Sequence, residues 1–116
     1  MKKADPELEL KWGKLLTEVG DRIGKRPQDL NAMLYLIGVQ ELGSGIKEFS
    51  KETKQDLMHI AVCKVLSYSG YYILEGVDEE GWPHWKINKP LPHFDLLEQE
   101  NLLKTHIIEY FEKEFK

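Results

Sequence analysis

The sequence predicts a mainly α protein: a four-helix bundle-like single domain over residues 1–116, with a long aromatic, proline-containing loop before the C-terminal helix. Three observations predict it. Apolar residues recur at helical spacing in four stretches of the chain. Helix-start signals stand at Asp5-Pro6, at Ser50, and at Asp95 with Glu98 three residues on. A length of 116 residues with 41% hydrophobic and 31% charged side chains suits one core closed without disulfide or metal staples.

Asp5 at an N-cap and Pro6 at the first helical position open the first helix. Leu8, Trp12, Leu15, Val19 and Ile23 then fall on one stripe, and Gly20 or Gly24 ends the helix ahead of Pro27. Trp12 lies on this stripe and is expected to pack rather than to bind. Pro27 can open a second helix, with Asp29 in its first turn, running to Leu42. Its Leu30, Met33, Leu34, Leu36, Ile37 and Val39 cover more than one face, as in a helix packed between neighbours. The break Gly43-Ser44-Gly45 leads through Ile46 and Phe49 to Ser50, which caps a third helix.

The end of the third helix has two readings. Leu57, Ile60, Ala61, Val65 and Tyr68 keep helical spacing, but Ser67, Ser69 and Gly70 are weak helix formers and Tyr71-Tyr72-Ile73-Leu74 suits a strand. Either the helix kinks at Gly70 and runs to Glu75 with Gly76 as its cap, or residues 71–77 and 84–88 form a short hairpin around Asp78-Glu79-Glu80-Gly81. Poor alternation across 71–77, together with Pro83 in the returning strand, favours the helix. Pro83, Pro90 and Pro92 then keep the chain from Asp78 to Phe94 extended or turned. The last helix follows Asp95, with Leu96, Leu103, Ile107, Phe111 and Phe115 on its apolar stripe.

Sixteen Lys+Arg against twenty Asp+Glu give a formal charge of −4. Arg22 and Arg26 are the only arginines, so neither nucleic acid nor an anionic membrane is an expected partner. A single cysteine, Cys63, cannot form an internal disulfide, and MKKADPELEL has no apolar h-region. No stretch approaches the ~20 apolar residues of a membrane span. The expected location is the cytoplasm.

His59 and Cys63 stand four residues apart on the third helix, so one face can offer two soft-metal ligands. A site needs more, from His84, His93 or His106, and the plainer reading makes Cys63 a buried apolar residue and His59 a boundary residue. A Cys63–His nucleophile pair needs an orienting third group that spacing does not identify. Glu75 and Asp78 have an E-x-x-D spacing, but no upstream E-x-x-E completes a four-acid cluster, since Glu48 and Glu52 are four apart. His106 and Glu109 reverse the Glu-x-x-His order of di-iron bundles. Glu109, Glu112 and Glu114 read as a solvated face, with Glu109 and Lys113 spaced for a weak ion pair. Gly43-Ser44-Gly45 lacks the Gly-Lys-Ser/Thr of a phosphate loop.

The feature that stands apart is Gly81-Trp82-Pro83-His84-Trp85, with Tyr71 and Tyr72 nearby. Two tryptophans in such a loop either fold back as a lid or form an aromatic platform for a partner, and Asp78-Glu79-Glu80 would give that platform an acidic rim suited to a basic protein segment. The expected function is therefore that of a non-enzymatic cytoplasmic protein that binds a protein partner, or itself, through Trp82, His84, Trp85, Tyr71 and Tyr72. The alternative is a metal-binding protein or metal-dependent enzyme centred on His59 and Cys63. No cofactor is expected.

Overall fold

The computed structural model describes residues 5–43, 45 and 47–115; Ser44 and Ile46 of the predicted break, the basic opening over residues 1–4, and Lys116 lie outside them. The described chain is mainly helical with one small antiparallel sheet: α1 (Pro6–Ile23), α2 (Leu30–Leu42), α3 (Lys51–Ser67), β1 (Tyr72–Val77), β2 (Pro83–Ile87) and α4 (Leu96–Glu114). It divides into two compact units, one of Met1–Leu30 with Pro92–Lys116 and the other of Asn31–Leu91. No described helix is long and apolar enough to cross a membrane.

In the first unit, local chemistry sets both helix starts. Asp5 Oδ1 accepts from the N–H groups of Glu7 and Leu8 at 3.1 and 3.2 Å, with Pro6 next in sequence, as predicted. Gly24, at φ 88°, closes α1 by donating its N–H to Gly20 O at 2.8 Å. Asp95 and Glu98 form a complete capping box: Asp95 Oδ1 accepts from Glu98 N at 2.8 Å and Glu98 Oε1 accepts from Asp95 N at 3.2 Å.

The buried stripes differ slightly from those expected. On α1 the third buried position is Leu16 rather than Leu15, and Ile23 is 49% exposed. At 100° per residue Leu16 lies about 40° to one side of Trp12 around the helix and Leu15 about 60° to the other, so Leu16 is the closer continuation of the stripe. Ile23 sits at the last helical position, where little of the stripe remains to cover it. On α4 the buried residues are His106, Ile107 and Tyr110, while Leu96 is 73% exposed in the first turn. Lys104 joins the two helices, reaching Glu9 at 2.9 Å and standing 5.7 Å from the centre of the Trp12 ring. Tyr110, Phe111 and Phe115 stack and cross edge to face at the end of α4.

In the second unit, α2 buries Met33, Leu34, Ile37, Gly38 and Val39 on more than one face, as expected. It begins at Leu30, three residues later than Pro27 suggested, with Asp29 immediately before the helix rather than within its first turn. Ser50 caps α3 by accepting from Thr53 N at 3.1 Å. The helix preferred for residues 71–75 is corrected. α3 stops at Ser67, and Gly70 takes φ 80°, a conformation only glycine adopts cheaply. Gly70 N–H bonds Ser67 O at 2.9 Å and Tyr71 N–H bonds Leu66 O at 3.2 Å, the paired closure of a Schellman ending. The chain leaves this closure extended and becomes β1.

The hairpin pairs Tyr72 with Ile87, Ile73 with Lys86, Leu74 with Trp85, Gly76 with His84 and Val77 with Pro83, with a bulge between Leu74 and Gly76. The bulge explains the poor alternation: one extra residue shifts the phase of the pleat midway along β1. Pro83 is tolerated because it is the first residue of β2, next to the bond from Asp78 N to Trp82 O. Its nitrogen therefore faces away from β1, where no ladder bond is lost. The two tryptophans turn towards the unit's core, packing with Tyr35, Leu42 and Phe49 against Val39, Leu57 and Ile60.

Gly38 permits the closest approach in this unit. A Cβ there would collide with the Leu57 carbonyl oxygen and lie 2.6 Å from its carbon. Gly38→Ala is expected to destabilise the fold by about 1–3 kcal/mol or more, since helix backbone cannot move aside as a flexible side chain can. Gly13→Ala, with nothing within 4 Å of the new methyl, is expected to stabilise by up to about 1 kcal/mol. Denaturant midpoints of both variants check the pair, and equal midpoints would contradict the close approach.

Candidate functional site

The hairpin is organised by Asp78. Its Oδ1 accepts from the N–H groups of Glu80 at 2.9 Å and Trp82 at 3.0 Å, and its Oδ2 accepts from His84 Nε2 at 2.8 Å. The bond from His84, then that from the Trp82 amide and, less strongly, that from the Glu80 amide, hold the Asp78 carboxyl below the usual carboxylate range despite an opposing desolvation. Gly81 N–H closes the turn onto Asp78 O at 3.0 Å. At the open end, Asn88 donates its backbone N–H to Tyr71 O and its side-chain N–H to Gly70 O, both at 2.9 Å, tying the return strand to the Schellman closure.

The aromatic residues singled out in sequence come together here in different roles. Trp82 and Trp85 are half-buried against the core cluster, and Trp85 Nε1 is buried with no hydrogen-bond partner among the described residues. Ring packing against this cluster holds Trp85. Tyr71 and Tyr72 are half-buried, and Lys89 Nζ stands 4.7 Å from the centre of the Tyr71 ring. His84 is exposed and engaged with Asp78.

What sequence reasoning missed is the apolar surface around these anchors. Ile73, Leu74, Val77 and Ile87 are 46%, 47%, 62% and 67% exposed. Glu75, Asp78, Glu79 and Glu80 are exposed towards the turn, and Lys86 and Lys89 towards the open end. The available signal was the strand composition of 71–74, which under the hairpin reading leaves side chains on both faces of a sheet too narrow to cover them.

His59 and Cys63 do meet: His59 Nε2 lies 3.6 Å from Cys63 Sγ. The thiol is fully buried, and burial pushes it up to about 11, partly offset by a backbone hydrogen bond. Burial, and secondarily the neighbouring Cys63, also raises the Tyr72 hydroxyl. His106 Nδ1 donates to Leu102 O at 2.7 Å, and His93 is exposed. Among the described residues, no group of three or more His, Cys, Asp or Glu side chains is placed to hold a metal ion.

No protein-family model matches the chain, and neither a curated protein nor a solved structure matches it.

Two outcomes follow from this geometry. The Cys63 thiol is expected to stay protonated and unreactive towards Ellman's reagent at pH 8 in the folded protein and to react at once in denaturant, since both its access and its thiolate fraction are suppressed. Fast labelling of the native protein would contradict its placement. For Asp78, a depressed folded pKa stabilises the hairpin above the ordinary carboxylate value of 3.8, and this contribution is lost as pH falls through the lower folded value. Asp78→Ala is expected to speed amide exchange at Glu80 and Trp82 several-fold at neutral pH while leaving α4 amides unchanged, as read by hydrogen exchange.

Proposed function

We propose that the protein is a cytoplasmic, non-enzymatic binding protein whose hairpin meets a protein partner, another copy of the chain included. The observation that carries this reading is the group of four large apolar side chains, Ile73, Leu74, Val77 and Ile87, left in water on one short hairpin. Single exposed apolar residues are ordinary, but a group of them rimmed by charge marks an interaction surface. Trp82 and Trp85 anchor the hairpin to Val39, Leu57 and Ile60, so that the exposed apolar side chains, which lie on both faces of the narrow sheet, are presented in a fixed arrangement. Tyr71, Tyr72 and His84 flank it, and the acidic turn supplies a charged rim.

Photocrosslinking residues placed singly at Val77 and Ile87 in the source cells are expected to form discrete protein adducts, whereas one at Leu10, equally exposed on α1, is not. The double substitution Ile73→Ser/Val77→Ser is expected to remove the Ile87 adducts while shifting stability by no more than about 0.5 kcal/mol per site, because neither side chain is buried. Absence of adducts at both hairpin positions, or equal labelling at Leu10, would overturn the reading.

A further inference from the structure

Resting on that reading, we infer that the hairpin's occupant is a second copy of the chain, with β1 of one copy lying antiparallel to β1 of the other across a two-fold axis. The ladder shows which backbone groups face outward. Asn88 N bonds Tyr71 O at the open end, and the register then makes Tyr72–Ile87 and Leu74–Trp85 the pairs between hydrogen-bonded ones. The N–H and C=O groups of Tyr72 and Leu74 therefore point away from β2. Among the described residues the sheet has no third strand, and five of the six β1 residues are exposed. The outer edge of β2 is the poorer template, because it begins with Pro83, which has no N–H to offer. Three of the four exposed apolar side chains, Ile73, Leu74 and Val77, also belong to β1.

Charge selects the partner. Glu75, Glu79 and Glu80 make the turn end acidic, while Lys86 and Lys89 make the open end basic, with Lys89 held over Tyr71 just before β1 begins. An antiparallel copy reverses this polarity, so the acidic turn of each hairpin lies beside the basic open end of the other, and a two-fold axis makes both contacts at once. A uniformly basic partner segment would match the turn and meet like charge at Lys86 and Lys89. A parallel copy would set like against like at both ends.

Analytical ultracentrifugation of the full chain tests this. The weight-average mass is expected to rise with concentration from 13.6 kDa towards twice that value. Raising salt to about 0.5 M is expected to weaken association several-fold through screening. The charge-reversal variants Lys86→Glu/Lys89→Glu and Glu79→Lys/Glu80→Lys are each expected to self-associate at least about tenfold more weakly, and their equimolar mixture to recover association. Because recovery requires both variants to be folded, it separates lost pairing from lost structure; circular dichroism checks each alone. A wild type that stays monomeric up to about 1 mM, or charge variants that associate as well as wild type, would overturn the pairing. If the wild type is monomeric while Val77 crosslinks to a different protein, self-pairing fails and the hairpin's binding role stands; with no adduct at Val77 or Ile87, both fail.

Discussion

The second unit depends on the closure at Gly70. With Gly70 at φ 80°, the carbonyls of Leu66 and Ser67 find partners in Tyr71 and Gly70 themselves, and α3 ends with its last turn satisfied. Had the helix continued, Tyr71 to Glu75 would have carried their side chains around a helical surface. Instead they alternate along a strand, and the chain returns through β2 to set Trp82 and Trp85 against the cluster that α2 and α3 share. Asn88 then bonds back to Gly70 O, so the return strand reinforces the closure from which the hairpin starts.

The hairpin has two kinds of apolar residue. The indoles of Trp82 and Trp85 are large enough to reach the core from a narrow sheet, and they hold the hairpin to its unit. Shorter side chains on the same strands do not reach it. A two-stranded sheet lacks the neighbours that would cover Ile73, Leu74, Val77 and Ile87, and an isolated hairpin is marginal in water without such support. The carboxylate of Asp78 compensates at the turn, satisfying two backbone amides and orienting His84 while staying in solvent. The hairpin is thus fixed by tryptophan packing on its inner side and by an Asp-centred turn at its tip, leaving its edge and remaining apolar side chains available.

Much of the helical structure was legible because its signals are local. Asp5 with Pro6, Ser50, and Asp95 with Glu98 each bond backbone amides within three residues, so their roles do not depend on distant neighbours. The stripes were less exact: Leu15 and Leu16 are adjacent in sequence, and which of them is buried depends on the approach of a neighbouring helix. The candidate site was legible as a set of residues but not as a surface. Tyr71, Tyr72, Trp82, His84 and Trp85 do gather on one hairpin, yet composition alone did not distinguish the rings that anchor it from the aliphatic side chains that stay in water.

By itself, the sequence determined where three of the four helices start, that the chain is mainly helical, and that residues 71–88 had only two structures open to them, because capping, periodicity and proline act over a few neighbouring residues. Tertiary structure chose between those two. A bulge at Glu75 and an outward-facing nitrogen at Pro83 removed the local objections to a hairpin, and burying Trp82 and Trp85 against Val39, Leu57 and Ile60 supplied the stabilisation that two strands lack alone. That stabilisation comes from residues more than twenty positions away in the chain, which is why no local pattern could show it.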